Sequence, residues 1–163
     1  MLLIFFVFPL ISYGQKLPDY GFDKIRIVGA DEIIQADIIQ VSSTPSAKPN
    51  RFYYWFSGNT IHATQGGFSG TLLNGSYNEY YLDKSLKAQG TYKKGLKEGV
   101  WRSWNQNGIL TEQYTWDEGL RSGKYELFDE QGNLKESGKY KGGVLVVKSG
   151  SFWQKLNVFR KKK

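Results

Sequence analysis

The sequence predicts an all-β protein, a single-layer antiparallel meander of stacked β-hairpins with a small N-terminal cap and a short C-terminal segment. Three observations predict this fold: aromatics make up 16% of the 163 residues, glycine occurs 19 times, and both recur at a 24-residue spacing. Aromatic residues favour strands and glycine favours turns. A chain of this length can bury enough surface for one domain.

Residues 1–14 are predicted to be a secretory signal peptide. An uncharged apolar run is followed by Ser12, Tyr13 and Gly14. Ser12 and Gly14 are the small residues expected three before and one before a cleavage site. The alternative is that this segment is a buried strand or a core helix. A membrane span is not expected, because it needs about 20 apolar residues and this run is shorter. We therefore expect an exported protein, periplasmic or associated with the outer membrane. The alternative is a cytoplasmic protein that keeps this segment.

Residues 15–49 are predicted to form a β-rich cap followed by a loop. Two apolar runs, residues 25–28 and 33–41, favour two strands, or a strand and a short helix. The two prolines within residues 44–50 disfavour regular pairing, so this stretch is expected to be a loop. Repeat arrays need an end that differs from their middle, so we expect the apolar runs to cap one end of the sheet.

Residues 50–148 carry the 24-residue repeat, which shows as three aromatic columns when the sequence is aligned with itself. Each unit reads as a strand, a turn such as Asn107-Gly108, a return strand and a second turn such as Glu118-Gly119, which together predict one hairpin. The first column holds Tyr53, Tyr77, Trp101 and Tyr125; the second holds Phe56, Tyr80, Trp104 and Phe128; the third holds Phe68, Tyr92, Trp116 and Tyr140.

Strand geometry limits how these columns pack. Equivalent residues of successive units lie two strands apart, about 9.6 Å at a strand spacing of ~4.8 Å. Ring contact needs centroids at ~4.5–7 Å, so Trp101 and Tyr125 are not expected to stack directly on each other. A ring on the intervening strand could link them, and Trp116 is the candidate. Trp101 and Trp104 are three residues apart and are expected on opposite faces, unless a bulge intervenes.

The unit "GTYKKGLKEGVWRSWNQNGIL" (residues 90–110) resembles the bacterial variant of the MORN repeat, and proteins similar to it are often labelled YwqK-type antitoxins. The next unit has Tyr114 where the first glycine is expected, and the preceding unit has Thr71 and Lys84 at glycine positions. The resemblance covers about residues 50–143. It implies a single-layer sheet of MORN-type hairpins without enzymatic activity, and a role in binding proteins or phospholipid membranes.

Residues 149–163 are predicted to be a basic amphipathic tail that contacts a membrane. Four apolar residues at helical spacing would insert shallowly, and four cations would meet anionic lipid at ~1 kcal/mol each. The alternative is that the apolar residues close the open sheet edge and the lysines are solvated. The residues are Phe152, Trp153, Leu156, Phe159, Arg160, Lys161, Lys162 and Lys163.

Composition argues against most site chemistry. The chain has no cysteine and one histidine, His62, which excludes thiol chemistry, disulfides and multi-histidine metal sites. Of the formal charge of +7, residues 160–163 supply four, which leaves +3 for the rest, where lysines alternate with acidic residues. Because no basic stripe results, nucleic acid is not an expected partner. No catalytic residue, cofactor, metal site or small-molecule substrate is predicted.

The predicted function is that of a non-enzymatic secreted or envelope-associated scaffold that binds a protein partner and can dock at an anionic membrane. The alternative is an antitoxin or immunity protein that neutralises a cognate toxin by direct binding. Ten repeat aromatics are expected to serve as scaffold or binding face: Tyr53, Phe56, Tyr77, Tyr80, Tyr92, Trp101, Trp104, Trp116, Tyr125 and Phe128.

Overall fold

The structure is a computed structural model that describes residues 23–39 and 46–147, which form one open sheet of eleven strands. Within these ranges no helix is long and apolar enough to cross a membrane. The predicted signal peptide and C-terminal tail lie outside the described residues. The strands are β1 (Asp23–Val28), β2 (Glu32–Ile39), β3 (Phe52–Ser57), β4 (Thr60–Gln65), β5 (Thr71–Tyr81), β6 (Leu86–Lys93), β7 (Leu96–Trp104), β8 (Leu110–Asp117), β9 (Leu120–Phe128), β10 (Leu134–Lys141) and β11 (Val144–Leu145).

The strand order confirms the predicted all-β antiparallel meander. From β5 to β11 every strand pairs with the next one in the sequence, and the hairpin β1–β2 caps the other edge of β5. Both predicted N-terminal runs are strands. The hairpin β3–β4 lies outside this strand order, because one edge of β5 pairs with β2. Strand β3 pairs with β5 only at Trp55↔Leu72 and Phe56↔Thr71.

The tight turns of the meander repeat every 24 residues. Both central residues have positive φ, as type I′ turns require; the angles are 45° at Glu118 and 77° at Gly119 in the β8–β9 turn. The turn glycine also donates its amide to a carbonyl of the preceding hairpin, which ties neighbouring hairpins together. These bonds run from Gly95 to Leu73 (2.7 Å), from Gly119 to Lys97 (3.0 Å) and from Gly143 to Arg121 (2.8 Å).

The turns at the opposite end of the hairpins are longer than the Asn107-Gly108 pair indicates. The amide of Asn105 donates to the carbonyl of Ile109 at 3.0 Å, and that of Gly108 donates to the carbonyl of Asn105 at 2.9 Å. Asn105 Oδ1 also accepts amide bonds from Asn107 and Ile109, as in an Asx turn. Of these residues Gly108 alone has positive φ (74°), and its equivalent Lys84 keeps the same conformation at 71°.

The two faces of the meander differ in chemistry. We call the face that carries Tyr77, Tyr92, Trp101, Tyr114 and Tyr125 the front face. The back face carries a ladder of polar side chains between strands, of the kind that stabilises a flat sheet. Its bonds run from Gln89 Nε2 to Asn78 Oδ1 (2.9 Å), from Arg102 Nε to Gln113 Oε1 (2.7 Å) and from Gln113 Nε2 to Glu126 Oε2 (3.3 Å).

A β-bulge lies next to Trp104, and a bulge between Trp101 and Trp104 is the exception that the sequence-based expectation allows. The pairing of β7 with β8 shifts between Ser103 and Trp104 and leaves Thr111 of β8 unpaired. Because the extra residue of this bulge belongs to β8, alternation from Trp101 to Trp104 is kept. Trp101 therefore faces the front, Trp104 faces the back, and the predicted alternation holds.

The core lies where the hairpin β3–β4 covers the front face. Tyr54, Phe56 and Ile61 of this hairpin pack against a buried cluster that includes Tyr77 and Trp101. Leu72 and Leu73 are adjacent in β5 and both fully buried, so the sheet is covered on both sides at this point. The hairpin supplies a local second layer that the meander otherwise lacks.

Candidate binding face

The first group of front-face rings surrounds Tyr92. Its ring centroid lies 4.9 Å from that of Tyr54, 5.5 Å from that of Tyr77 and 4.9 Å from that of Trp101. The Tyr77 and Trp101 contacts are edge-to-face, the arrangement that aromatic quadrupoles favour. The rings therefore form a connected stack that runs from β3 through β5 and β6 to β7.

Tyr77 and Trp101 touch directly, although they are equivalent residues two strands apart. Their centroids are 5.4 Å apart, so the expectation that equivalent rings need an intervening ring is wrong here. The reason is Gly90, which pairs with Tyr77 and lies between them. The Trp101 ring covers this glycine so closely that an added Cβ would lie 2.2 Å from Trp101 Cδ2.

The second group consists of Tyr114, Tyr125 and Tyr140. Tyr114 stacks on Tyr125 with centroids 5.6 Å apart and planes 11° apart, and Tyr140 lies 5.2 Å from Tyr125. Tyr114 occupies the strand between Trp101 and Tyr125 and pairs with both. The expectation that Trp116 fills this place is wrong, because Tyr114 stands where the repeat has a glycine and supplies the ring itself.

Two cations lie on these rings at positions that are equivalent in the repeat. Lys97 Nζ is 4.1 Å from the centroid of Trp101 and 5.1 Å from that of Trp116. The Arg121 guanidinium is 3.9 Å from the centroid of Tyr114 and 5.6 Å from that of Trp116. The two cations therefore flank Trp116. Burial lowers the pKa of Lys97, which indicates that its ammonium has lost part of its hydration.

A third cation, Lys87, is held by carboxylates. Its Nζ lies 2.5 Å from Glu32 Oε2 and 2.6 Å from Glu79 Oε1, and Glu79 also accepts a hydrogen bond from the Tyr77 hydroxyl at 2.9 Å. The hydrogen bonds to Glu32 and Glu79 raise the pKa of Lys87. Hydrogen bonds with Glu79 and with Lys87 lower the pKa of Glu32. Lys87 is thus neutralised within the chain.

An open groove of about 490 Å³ runs along the front face between the first ring group and Lys87. Tyr54, Tyr81 and Trp101 line it together with Glu79 and Lys97. The rings of the groove offer apolar and π surface. Of its two cations, Lys87 is paired with carboxylates, whereas Lys97 has no carboxylate partner among residues 23–39 and 46–147. Within residues 23–39 and 46–147, no three histidine or acidic side chains are placed to hold a metal ion.

The repeat aromatics take two different places in the fold. The whole first column is buried, with exposures of 3% for Tyr53, 8% for Tyr77, 7% for Trp101 and 5% for Tyr125. These side chains build the sheet and leave little area for a partner. The second column, Phe56, Tyr80, Trp104 and Phe128, is half-buried, as is Trp116, whereas Tyr92 is buried.

Sequence reasoning missed four front-face residues: Tyr54, Lys97, Tyr114 and Arg121. A signal for the two cations was present, because Leu73, Lys97 and Arg121 are spaced by the same 24 residues as the aromatic columns. Tyr114 is recognisable in the sequence as a departure from the repeat, but its role is not. The residues predicted for membrane contact, from Phe152 onward, lie outside the described part of the chain.

Comparison of the chain with protein-family models, with curated proteins and with solved structures gave no match. The resemblance to MORN repeats therefore stays a prediction from the sequence, and the front face is interpreted from its own geometry.

Proposed function

We propose that the protein is a non-enzymatic scaffold whose front face binds a protein partner. The observation that carries this proposal is that two rings of the second group, Tyr114 and Tyr140, and the neighbouring Trp116 keep part of their surface exposed. Trp116, Tyr114 and Tyr140 are only half-buried, and the hairpin β3–β4 covers the front face at its other end. Protein interfaces are enriched in aromatic residues and arginine, the composition of this surface.

The surface is also pre-organised, which favours binding because few side chains have to be immobilised when a partner docks. Trp101 Nε1 donates to the carbonyl of Thr91 at 3.2 Å, and the Tyr81 hydroxyl donates to the carbonyl of Trp104 at 3.0 Å. The Tyr125 hydroxyl donates to Glu136 Oε1 at 2.5 Å, and this bond raises the pKa of Tyr125 to about 12. These bonds fix the orientation of Trp101, Tyr81 and Tyr125, and the half-buried rings of the second group pack against Tyr125.

Site-specific photo-crosslinking in cells tests this proposal. A photoreactive phenylalanine replaces Tyr81 in the front groove, and Gln89, which is exposed on the back face, gives the matched control. We expect one protein, identified by mass spectrometry, to be captured from position 81 and not from position 89. Equal capture from both positions, or capture from neither, would contradict a front-face binding function.

The compartment of the captured protein separates the two forms of the hypothesis. A partner from the envelope fraction supports an exported scaffold, whereas a cytosolic toxin whose activity is lost in the complex supports the antitoxin alternative. Mass spectrometry of the mature N-terminus provides the independent control. A chain that begins at Gln15 supports export, and one that begins at Met1 supports the cytoplasmic form.

Membrane docking through residues 149–163 is a separate proposal with a separate test. Deletion of residues 152–163 is expected to release the protein from anionic vesicles and to leave its thermal unfolding unchanged. Unchanged vesicle binding, or loss of the fold, would reject docking by this tail.

A further inference from the structure

We infer that Lys97 and Arg121 form a carboxylate-binding site, and that the segment of the partner that docks on the front face is acidic. This inference rests on the proposed front-face function and adds the chemistry of the partner to it. Its basis is that these two cations lie on aromatic rings and have no carboxylate partner among residues 23–39 and 46–147.

Three other lysines of the described residues have carboxylate partners. Lys48 pairs with Glu118, Lys87 with Glu32 and Glu79, and Lys124 with Glu126. Within residues 23–39 and 46–147, neither Lys97 nor Arg121 forms such a pair, although both are half-buried and lie over aromatic rings. A partly desolvated charge without a counter-charge is costly, and cation–π contacts offset only part of that cost.

Two acidic residues of the described part of the chain attract Lys97 without forming an ion pair with it, and both have other hydrogen-bond partners. Glu112 attracts Lys97 electrostatically, but its Oε1 accepts a hydrogen bond from Ser103 Oγ at 3.1 Å. Glu79 also attracts Lys97, and it binds the Lys87 ammonium and the Tyr77 hydroxyl. Within residues 23–39 and 46–147, no carboxylate forms an ion pair with Lys97 or Arg121, so the site is open to a carboxylate of a partner.

The arrangement of the site fits a protein segment with two acidic residues. Lys97 and Arg121 both contact Trp116 from the neighbouring strands, so two carboxylates of one segment can each meet a cation. Hydrogen bonds between charged partners are roughly twice as strong as neutral ones, and partial desolvation strengthens them further. Arg121 can also engage a carboxylate with two parallel bonds.

Fluorescence anisotropy with a labelled deca-glutamate peptide tests this site in the full chain. Lys97→Gln with Arg121→Gln removes both cations, and Lys93→Gln with Lys141→Gln removes two exposed back-face lysines for the same change in net charge. We expect Kd to rise about tenfold or more for the first pair, which corresponds to 1.4 kcal/mol, and less than about twofold for the second. A deca-glutamine peptide is expected not to bind.

Two further variants serve as controls for this experiment. Changing residues 160–163 to glutamine in every background removes the basic tail as a competing site for the peptide. If the double variant fails to fold by circular dichroism, Arg121→Gln alone is used, with an expected weakening of about threefold from the loss of one charged contact.

Three outcomes would overturn the inference. The first is equal weakening by the front and back pairs, which indicates non-specific charge attraction. The second is binding to phosphatidylserine vesicles through Lys97 and Arg121 without binding to deca-glutamate, which indicates a lipid surface. The third is a front-face partner, captured from position 81, that binds the Lys97→Gln, Arg121→Gln variant with unchanged affinity. In that last case the proposed function stands and the acidic-segment inference fails.

Discussion

The closest packing in the front face lies over Gly90, and Gly90→Ala is the substitution that tests it. Gly90 has no φ in the left-handed region, so alanine meets no backbone penalty there. Its Cβ would lie 2.2 Å from both Cδ2 and Cε2 of Trp101, and 2.7 Å from Cε3. Because these atoms belong to the rigid indole, the whole Trp101 ring has to move away from β6.

The expected cost follows from the contacts that the moving ring gives up. Trp101 contacts Tyr77 at 5.4 Å and Tyr92 at 4.9 Å, and its Nε1 bonds the Thr91 carbonyl. Each aromatic pair contributes ~0.5–1.5 kcal/mol and the hydrogen bond contributes ~1 kcal/mol. Loss of all three predicts a decrease of about 3 kcal/mol in the free energy of unfolding.

Urea unfolding followed by circular dichroism measures this change. Gly67→Ala is the matched control, because a Cβ added at Gly67 would have no atom within 4 Å and Gly67 has no positive φ, so a change near zero is expected. In a Trp101→Leu background the cost of Gly90→Ala is expected to fall below about 1 kcal/mol, because the two residues are in contact and couple. A cost below about 0.5 kcal/mol in the wild-type background, or an equal cost in both, would refute this reasoning.

The remaining predictions concern a turn and an ion cluster. Lys84→Gly is expected to raise the free energy of unfolding by about 1 kcal/mol, because Lys84 holds a φ of 71° that glycine adopts freely. Gly108→Ala, at the equivalent position, is expected to lower it by a similar amount, and an unchanged thermal midpoint for both would contradict the turn assignment. The pKa of Glu32 is lowered by its bonds with Glu79 and Lys87, so its ionised form stabilises the fold above the ordinary carboxyl pKa. That stabilisation is lost as pH falls through the lowered pKa, and Glu32→Gln is expected to flatten the acidic limb of a plot of Tm against pH.

The 24-residue period was sufficient to predict the meander, because each unit carries its own strand and turn chemistry. Gly95, Gly119 and Gly143 were visible as a glycine column, and the structure shows the inter-hairpin bonds that use them. The period was not sufficient to place β3–β4. Tyr53 and Phe56 fit the aromatic columns, but β2 pairs with the edge of β5 that the preceding hairpin would otherwise occupy. Pairing between strands so far apart in the sequence cannot be predicted from a local repeat.

The contents of the front face were harder to predict for a related reason. Strand spacing gives the distance between backbones, whereas the Trp101 ring crosses a whole strand because Gly90 leaves its path empty. Lysine and arginine in strands are usually solvated, so the 24-residue spacing marks Lys97 and Arg121 as repeat positions but does not show that they contact aromatic rings. Their positions become visible only when the pairing of β7, β8 and β9 brings Trp116 between them.

The central claim is that successive hairpins form one preformed platform of rings held over glycines. Proton NMR tests it most directly, because a proton beneath an aromatic ring is shielded by the ring current. We expect the Hα resonances of Gly90 and Gly138 to lie well upfield of those of an unstructured glycine, with nuclear Overhauser contacts from Gly90 to the Trp101 indole and from Gly138 to the Tyr125 ring. Ordinary glycine shifts at both positions, without those contacts, would contradict it.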